Sequence, residues 1–303
     1  MFATLLGSLP RPPLDEAASV DALVEAAVRA QEAAGLEPIT DGGLRDDAGL
    51  VDGWRATARL TDRAVKQVVE GPYTFGRTHD GGAAERTAAT FTRAATLNTA
   101  LRELAAAGCP LIEIHEPSAA TIGADPRERS LFREAHLRLL DGVAGTHLSL
   151  AVTGGSADGA GIETILAAPY GSLAVDLIAG PDNWRLVVAA AGELGIVCGA
   201  LSTVAGTDDG PELPLWAAAY AASTGGRGPD RVGLATASSL AHLAWGVAVR
   251  KLERLGEAAR LADRPLDERL GAFDPRAVSS RSAALGRVEL PPSRRPDQGQ
   301  DPT

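Results

Sequence analysis

The sequence predicts a single (β/α)8 barrel. Short apolar runs alternate with longer amphipathic runs along most of the chain, and strict alternation favours parallel strands joined by helical crossovers. About eight apolar runs can be distinguished, and eight strands are the number that closes this barrel. The length of 303 residues also suits one barrel with an extension, because the fold needs roughly 250 residues.

The individual elements follow from hydrophobic periodicity and from the residues that end each run. The first predicted helix shows the pattern best, since Val20, Leu23, Val24 and Ala27 recur at helical spacing and Gly35 follows at the stop. The predicted strands are 2–6, 36–40, 64–69, 111–114, 146–152, 173–178, 196–201 and a short run near Val232. The predicted helices are 20–34, 50–61, 85–107, 127–140, 182–194, 211–224 and 239–262.

The barrel is expected to occupy residues 1–262, followed by a C-terminal extension over 263–286 and a tail over 287–303. The tail is dominated by Pro, Arg, Asp and Gln, a composition typical of disorder. The first thirteen residues lack the features of a signal peptide, and no run is long and apolar enough for a membrane span. We therefore expect a cytoplasmic protein.

Charge and cysteine content narrow the classes of partner. The formal net charge is −10, which disfavours binding to nucleic acids and to anionic membranes. A small-molecule substrate is the expected partner. Two cysteines do not make a disulfide framework in a chain of this size. Cys109 stands at the opening of a predicted strand and Cys198 in the middle of another, and both are expected to be core residues.

Candidate site residues are fixed by the fold before any motif is considered, because catalytic groups of such barrels lie where strands end and loops begin. Asp176 ends an apolar run, and a lone buried charge is too costly to serve packing alone. The polar or glycine residues predicted at strand ends are Gly7, Ser8, Asp41, Gly42, Gly43, His115, Glu116, His147, Ser149, Asp176, Ser202 and Thr236.

Three ordered segments resemble one enzyme family. They are LGSLP at 6–10, QEAAGL at 31–36 with ITDG at 39–42, and LAAAGCPLIEI at 104–114 with Glu116-Pro117. This order is similar to the catalytic barrel of cobalamin-independent methionine synthases, and the resemblance runs from about residue 2 to residue 262. Their superfamily also contains uroporphyrinogen decarboxylase and zinc-dependent coenzyme M methyltransferases.

The resemblance implies methyl transfer to a thiol bound on zinc, from a donor such as a reduced folate. Zinc activates thiols by favouring the thiolate. The family's ligands are a His and a Cys two residues apart, a Glu and a second Cys. His147 matches the histidine and Asp176 the glutamate, whereas Ser149 and the segment around Thr236 occupy the cysteine positions. The resemblance therefore implies a degenerate zinc site on His147 and Asp176.

The resemblance also assigns substrate contacts to Gly7, Ser8, Asp41 and Glu116. The acidic residue that holds the substrate amino group before Glu-Pro in the family is replaced here by His115. One alternative groups His115, His147 and Asp176 as two histidines and a carboxylate, which is a set able to bind a divalent metal. Another interpretation gives Glu116 the purely structural task of holding a neighbouring loop amide.

Three functions remain open at this level. The first is a methionine synthase-like methyltransferase acting on a small acceptor, with catalytic roles for His147, Asp176 and His115. The second is a metal-free enzyme of the decarboxylase or lyase type, in which arginines of strand-end loops bind carboxylates. The third is a non-catalytic relative that binds a metabolite. The arginines in question are Arg11, Arg45 and Arg77.

Overall fold

The computed structural model describes residues 1–45, 49–207 and 210–264 and has the predicted barrel architecture. Seven parallel strands form one curved sheet in the order β1-β7-β6-β5-β4-β3-β2. These strands lie close to the predicted positions. The observed strands are β1 (Phe2–Thr4), β2 (Lys66–Glu70), β3 (Leu111–His115), β4 (His147–Val152), β5 (Ser172–Asp176), β6 (Gly195–Leu201) and β7 (Val232–Thr236).

The eighth strand position, between β1 and β2, is filled by the segment 36–40. On one side, the Glu37 N–H donates to the Ala3 carbonyl at 2.8 Å. On the other side, the Ile39 N–H donates to Ala64 at 3.0 Å and the Lys66 N–H donates to Ile39 at 2.9 Å. Pro38 interrupts this segment, and a proline has no N–H for a ladder. The segment therefore closes the (β/α)8 barrel through isolated bridges.

The helices lie between successive strands and cover the outside of the barrel. Two short helices, α3 and α6, are too brief to show a periodicity in the sequence. The predicted helix 182–194 is shorter in the structure, because the backbone at Ala190 is extended, with a φ of −67° and a ψ of 135°, and ends the helix there. The helices are α1 (Val20–Ala34), α2 (Leu50–Ala58), α3 (Pro72–Thr78), α4 (Ala83–Ala106), α5 (Pro126–Leu140), α6 (Ile162–Ile165), α7 (Trp184–Ala189), α8 (Glu212–Ser223) and α9 (Trp245–Ala262).

Small side chains fill the middle of the barrel. Ala151, Ala174 and Val197 lie side by side on β4, β5 and β6 and form a buried cluster with Leu6 and Ala235. Their strand neighbours belong to a separate, larger core beneath the helices, as alternation along a strand requires. This thin central layer leaves a cavity at each mouth of the barrel.

Both cysteines are buried and free, in agreement with their prediction as core residues. Burial raises the pKa of the Cys109 thiol to about 11 and that of Cys198 to about 12. Among the described residues, no helix combines the length and apolarity needed to cross a bilayer. The predicted tail and nearly all of the predicted extension lie outside the described residues.

Candidate active site at the carboxyl mouth of the barrel

A cavity of about 560 Å³ opens at the carboxyl ends of the strands. We call it the carboxyl-mouth cavity. Five of the predicted strand-end residues line it, namely Gly7, Ser8, Asp41, Gly43 and His115. The loops after β1 and after segment 36–40 form one wall, and the loops after β2, β3, β4 and β7 form the rest. Its other polar lining residues are Arg45, Gln67, Glu70, Thr153, Ser238, Ser239 and His242.

Two glycines allow the loops of this wall to pack closely. Gly43 has a φ of +66°, and a Cβ atom there would lie 2.1 Å from the Ser8 hydroxyl oxygen. At Gly7, with a φ of +79°, a Cβ atom would lie 2.6 Å from the Ser239 Cα. Positive φ is a conformation that glycine adopts without steric cost. This wall of the cavity is therefore formed largely by backbone and small hydroxyl side chains.

Asp41 and Arg45 place opposite charges on the same side of the cavity. The Gly43 N–H donates to Asp41 Oδ1 at 2.8 Å, and burial raises the pKa of this carboxyl above its ordinary value. Arg45 donates from Nη2 to Asp21 Oδ1 at 2.6 Å. Its Nε is buried and finds no hydrogen-bond partner within the described part of the chain. This cavity-lining guanidinium thus keeps one unpaired N–H group.

Of the three arginines proposed as carboxylate binders, Arg45 alone lines this cavity. Arg11 lies on the surface, where its Nη2 donates to the Glu16 carbonyl at 3.2 Å. Arg77 belongs to α3 and pairs with Glu128 at 3.6 Å, beside a different depression on the outside of the barrel.

His115 is held by a chain of charged groups that runs down the barrel interior. Its Nε2 lies 2.7 Å from Glu113 Oε1. Lys66 Nζ, on the neighbouring strand β2, donates to both oxygens of the same carboxylate at 2.8 Å and to the Leu5 carbonyl at 2.8 Å. Lys66 and Glu113 are fully enclosed, whereas His115 reaches the cavity with 13% of its side chain exposed.

The charge state of Glu113 fixes the tautomer of His115. Burial alone would raise the pKa of Glu113, but the Lys66 ammonium and the hydrogen bond from His115 lower it to about 2. Burial lowers the pKa of Lys66, and the Glu113 carboxylate opposes that change. An ionised Glu113 can only accept, so His115 Nε2 carries the proton. Nδ1 of a neutral His115 then keeps a lone pair for a ligand.

Glu116 does not line the cavity; it caps the amino terminus of α3, as the structural interpretation predicted. Its carboxylate accepts from the Tyr73 N–H at 2.9 Å, the Thr74 N–H at 2.7 Å and the Thr74 hydroxyl at 2.6 Å. His136 Nε2 approaches the same carboxylate at 3.1 Å and its Nδ1 contacts the Tyr170 hydroxyl. Every oxygen of Glu116 is thereby engaged in holding the fold.

Replacing Glu116 with Gln should lower the free energy of unfolding by at least about 2 kcal/mol. The glutamine would replace one acceptor oxygen with an NH2 group, which cannot accept hydrogen bonds from α3. It would also remove the negative charge that strengthens the remaining bonds. Urea denaturation of the variant measures the change. Glu134→Gln, on α5 with 53% of its side chain exposed, is the matched control and should stay near wild type. Equal stabilities for the two variants would contradict this role.

Asp176 likewise has a structural role. Its Oδ1 accepts from the Ile178 and Ala179 N–H groups at 2.8 Å, and its Oδ2 accepts from the Gly154 N–H at 3.0 Å. The side chain is buried and is not part of the cavity lining. Three backbone N–H groups thus donate to this carboxylate and hold the loops after β4 and β5.

The prediction that His147 and Asp176 share a site is wrong. His147 is the first residue of β4, at the amino-terminal mouth of the barrel. Asp176 ends β5, one position beyond the pair Val152–Val175. Along the barrel axis, Asp176 is therefore six residues of strand beyond His147, which corresponds to roughly 20 Å. For the same reason His147 cannot join His115 in a set of two histidines and a carboxylate.

The zinc ligand set implied by the resemblance does not fit this structure. Ser149 faces the amino-terminal mouth. The Thr236 hydroxyl accepts from the Leu6 N–H at 3.0 Å and lies 3.2 Å from the Leu6 carbonyl. Within residues 1–45, 49–207 and 210–264, no group of three or more His, Cys, Asp or Glu side chains is arranged to hold a metal ion.

Sequence comparisons give no match, either to a protein-family model or to a curated protein. Solved structures do match. The B12-independent methionine synthase from Shewanella sp. W3-18-1, in complex with selenomethionine, aligns at a TM-score of 0.72 with 14% identity, over 89% of this chain and 99% of that chain. The two proteins share a fold.

Two further structures align less well. A methyltransferase from Methanosarcina mazei gives a TM-score of 0.49 with 14% identity over 70% of this chain and 63% of its own. A D-psicose 3-epimerase from Clostridium cellulolyticum H10 gives 0.48 with 11% identity over 86% of this chain and 98% of its own. The predicted barrel fold is confirmed by the architecture and by the likeness to the Shewanella methionine synthase.

Proposed function

We propose that this protein is an enzyme that binds a small amino-acid-like molecule in the carboxyl-mouth cavity and transfers a methyl group to it. The observation that carries the proposal is the composition of that cavity. A partly unpaired arginine, a carboxylate and a histidine held by a buried carboxylate line the same space. A few convergent polar groups in a well-formed pocket are typical of a ligand site.

Arg45 and Asp41 have the charges needed to orient a zwitterion. A guanidinium recognises a carboxylate through charge-assisted hydrogen bonds, and Arg45 retains a buried Nε–H for this purpose. Asp41 offers the complementary charge to an ammonium group, and such an ion would oppose the increase in its pKa that burial causes. The similar Shewanella structure contains selenomethionine, an amino acid, which supports this choice of ligand class.

His115 is the proposed base. The acceptor group, for example a thiol, gives its proton to Nδ1, and its freed electron pair forms a bond to the methyl carbon. The bond between that carbon and the donor breaks, and the electron pair leaves with the donor nitrogen, which then takes up a proton. The Glu113 carboxylate stabilises the imidazolium that results, as a buried carboxylate does in other histidine-based sites.

Arg45 also favours a second candidate, which is metal-free decarboxylase or lyase chemistry on a carboxylic acid. This alternative needs an arginine in the pocket to bind a carboxylate, and Arg45 lies there. In this case the same guanidinium would hold a substrate carboxylate, and His115 would transfer a proton to or from carbon. The two candidates differ in product and are separated by one experiment.

That experiment combines calorimetric titration with a product assay. Homocysteine, methionine and their desamino analogues are titrated into the wild type and into Arg45→Met. The wild type should bind the amino acids, and the variant should bind at least about tenfold more weakly after losing a charge-assisted hydrogen bond. Arg77→Met is the matched control, because Arg77 lies outside the cavity.

The product assay supplies a reduced folate with a labelled methyl group together with each ligand that binds. Label in the acceptor supports methyl transfer, whereas release of carbon dioxide without transfer of label supports the second candidate. Binding without either product would indicate a non-catalytic protein. The proposal is overturned if none of the amino acids binds, or if Arg45→Met and Arg77→Met weaken binding equally.

A further inference from the structure

The amino-terminal mouth of the barrel contains a second cavity, of about 340 Å³. We call it the amino-mouth cavity. Residues at the starts of strands line it, and it shares no lining residue with the carboxyl-mouth cavity. Apolar groups dominate its wall, and Phe2 stands at the opening with 37% of its surface exposed. The apolar lining residues are Phe2, Pro38, Leu111, Ile196 and Val197.

An unpaired hydroxyl lies in this cavity. Ser149 is 1% exposed, lines the cavity and has a buried Oγ atom without a hydrogen-bond partner. Leaving a buried polar group unpaired costs about 1–3 kcal/mol, and such groups in native structures normally meet a ligand or an ordered water. The hydroxyl can both donate and accept, so it suits a ligand that carries a hydroxyl of its own.

The charges in this cavity favour an uncharged ligand. Lys66 and Glu113 at its inner end already neutralise each other. Burial lowers the pKa of His147, which favours its neutral form, and its Nε2 lies 2.8 Å from the Ser172 hydroxyl. Three further charged lining residues are exposed to solvent, namely Glu193, Asp230 and Arg231. An ion that passed them to the inner end would lose its hydration beside an ion pair that is already compensated, and that loss is costly.

We infer that the amino-mouth cavity is a second ligand site, which binds a small, uncharged and mainly apolar molecule through a hydroxyl that pairs with Ser149. The inference does not depend on the proposed function, because no residue is common to the two cavities. Burial of an apolar ring against Phe2, Leu111 and Ile196 would supply most of the affinity, and the hydroxyl would supply orientation.

Phenol, toluene and benzoate are suitable probes, since they share a ring and differ in polar group and charge. Their binding to the full chain is measured by calorimetry and ligand-observed NMR. Phenol should bind, toluene should bind more weakly and benzoate should not bind. Ser149→Ala should weaken phenol about three- to tenfold, toward the affinity of toluene. Ser238→Ala, which alters the carboxyl-mouth cavity instead, should leave phenol binding unchanged.

A crystal soaked in phenol locates the ligand. Phenol beside Ser149 would support the site, and ordered water alone at the hydroxyl would overturn it. Absence of phenol binding up to its solubility limit would also overturn it, as would equal phenol affinities for the wild type and Ser149→Ala. Tighter binding of benzoate than of phenol would contradict the assignment of an uncharged ligand.

Discussion

Replacing Lys66 with Met should lower the free energy of unfolding by about 3–5 kcal/mol, which is the usual effect of removing one partner from a buried ion pair. Lys66 is completely enclosed and donates three hydrogen bonds, two of them to Glu113. Methionine has a similar length but cannot donate. Glu113 would therefore remain in the barrel interior as an uncompensated charge. Urea denaturation followed by circular dichroism measures the loss.

The double variant Lys66→Met/Glu113→Gln should recover most of that stability, because the uncompensated charge is removed while an acceptor for His115 is kept. Arg185→Met is the control. Arg185 Nη1 lies 2.7 Å from Asp158 Oδ2, a distance similar to that in the interior pair, but 72% of the Arg185 side chain is exposed. It should cost less than about 1 kcal/mol. A loss that small for Lys66→Met would show that the interior pair contributes little.

The pH dependence gives a second readout of the same pair. The pKa of Glu113 in the folded protein is about 2, below its ordinary value of 4.5. A lowered folded-state pKa means that the stabilisation is complete above the unfolded value and is lost as pH falls through the folded one. The stability difference between the wild type and Lys66→Met should therefore shrink between about pH 4.5 and pH 2.

The fold could be predicted from the sequence because strand and helix periodicities repeat regularly. The boundaries of α1, from Val20 to Ala34, were predicted to the residue, since a buried stripe ends at a glycine. Hydrophobic periodicity does not predict a short helix whose amino terminus is capped by a side chain from a distant part of the chain. Helix α3 is therefore missing from the prediction, because it depends on Glu116, which lies 42 residues along the chain from Thr74.

The site was only partly predictable, because strand direction matters as much as strand identity. His147 begins a strand, so its side chain lies at the opposite mouth from Asp41 and His115. The interior ion pair was missed altogether. Alternation places Lys66 on the inward face of β2 and Glu113 on that of β3, but the relative register of the two strands is needed before the side chains can be paired.

The largest effect on catalysis is expected at His115. Because Nε2 donates to the ionised Glu113, Nδ1 of the neutral ring holds the lone pair that can remove a proton from the acceptor. No second hydrogen-bond partner of His115 is found within the described ranges of the chain. A positioned general base contributes roughly 10²- to 10⁴-fold to a rate. His115→Gln should therefore reduce kcat at least about 100-fold in the labelled-methyl assay.

The split between kcat and KM distinguishes this role from a merely structural one. Arg45 and Asp41 still hold the substrate in His115→Gln, so KM should change little. His242→Gln is the matched control. His242 lines the same cavity, but its Nε2 faces the Thr203 carbonyl at 3.0 Å, and no carboxylate of the described residues supports it. It should retain most of its activity. If His115→Gln raises KM without lowering kcat, His115 binds the substrate, and the base must be sought among the other groups of the cavity.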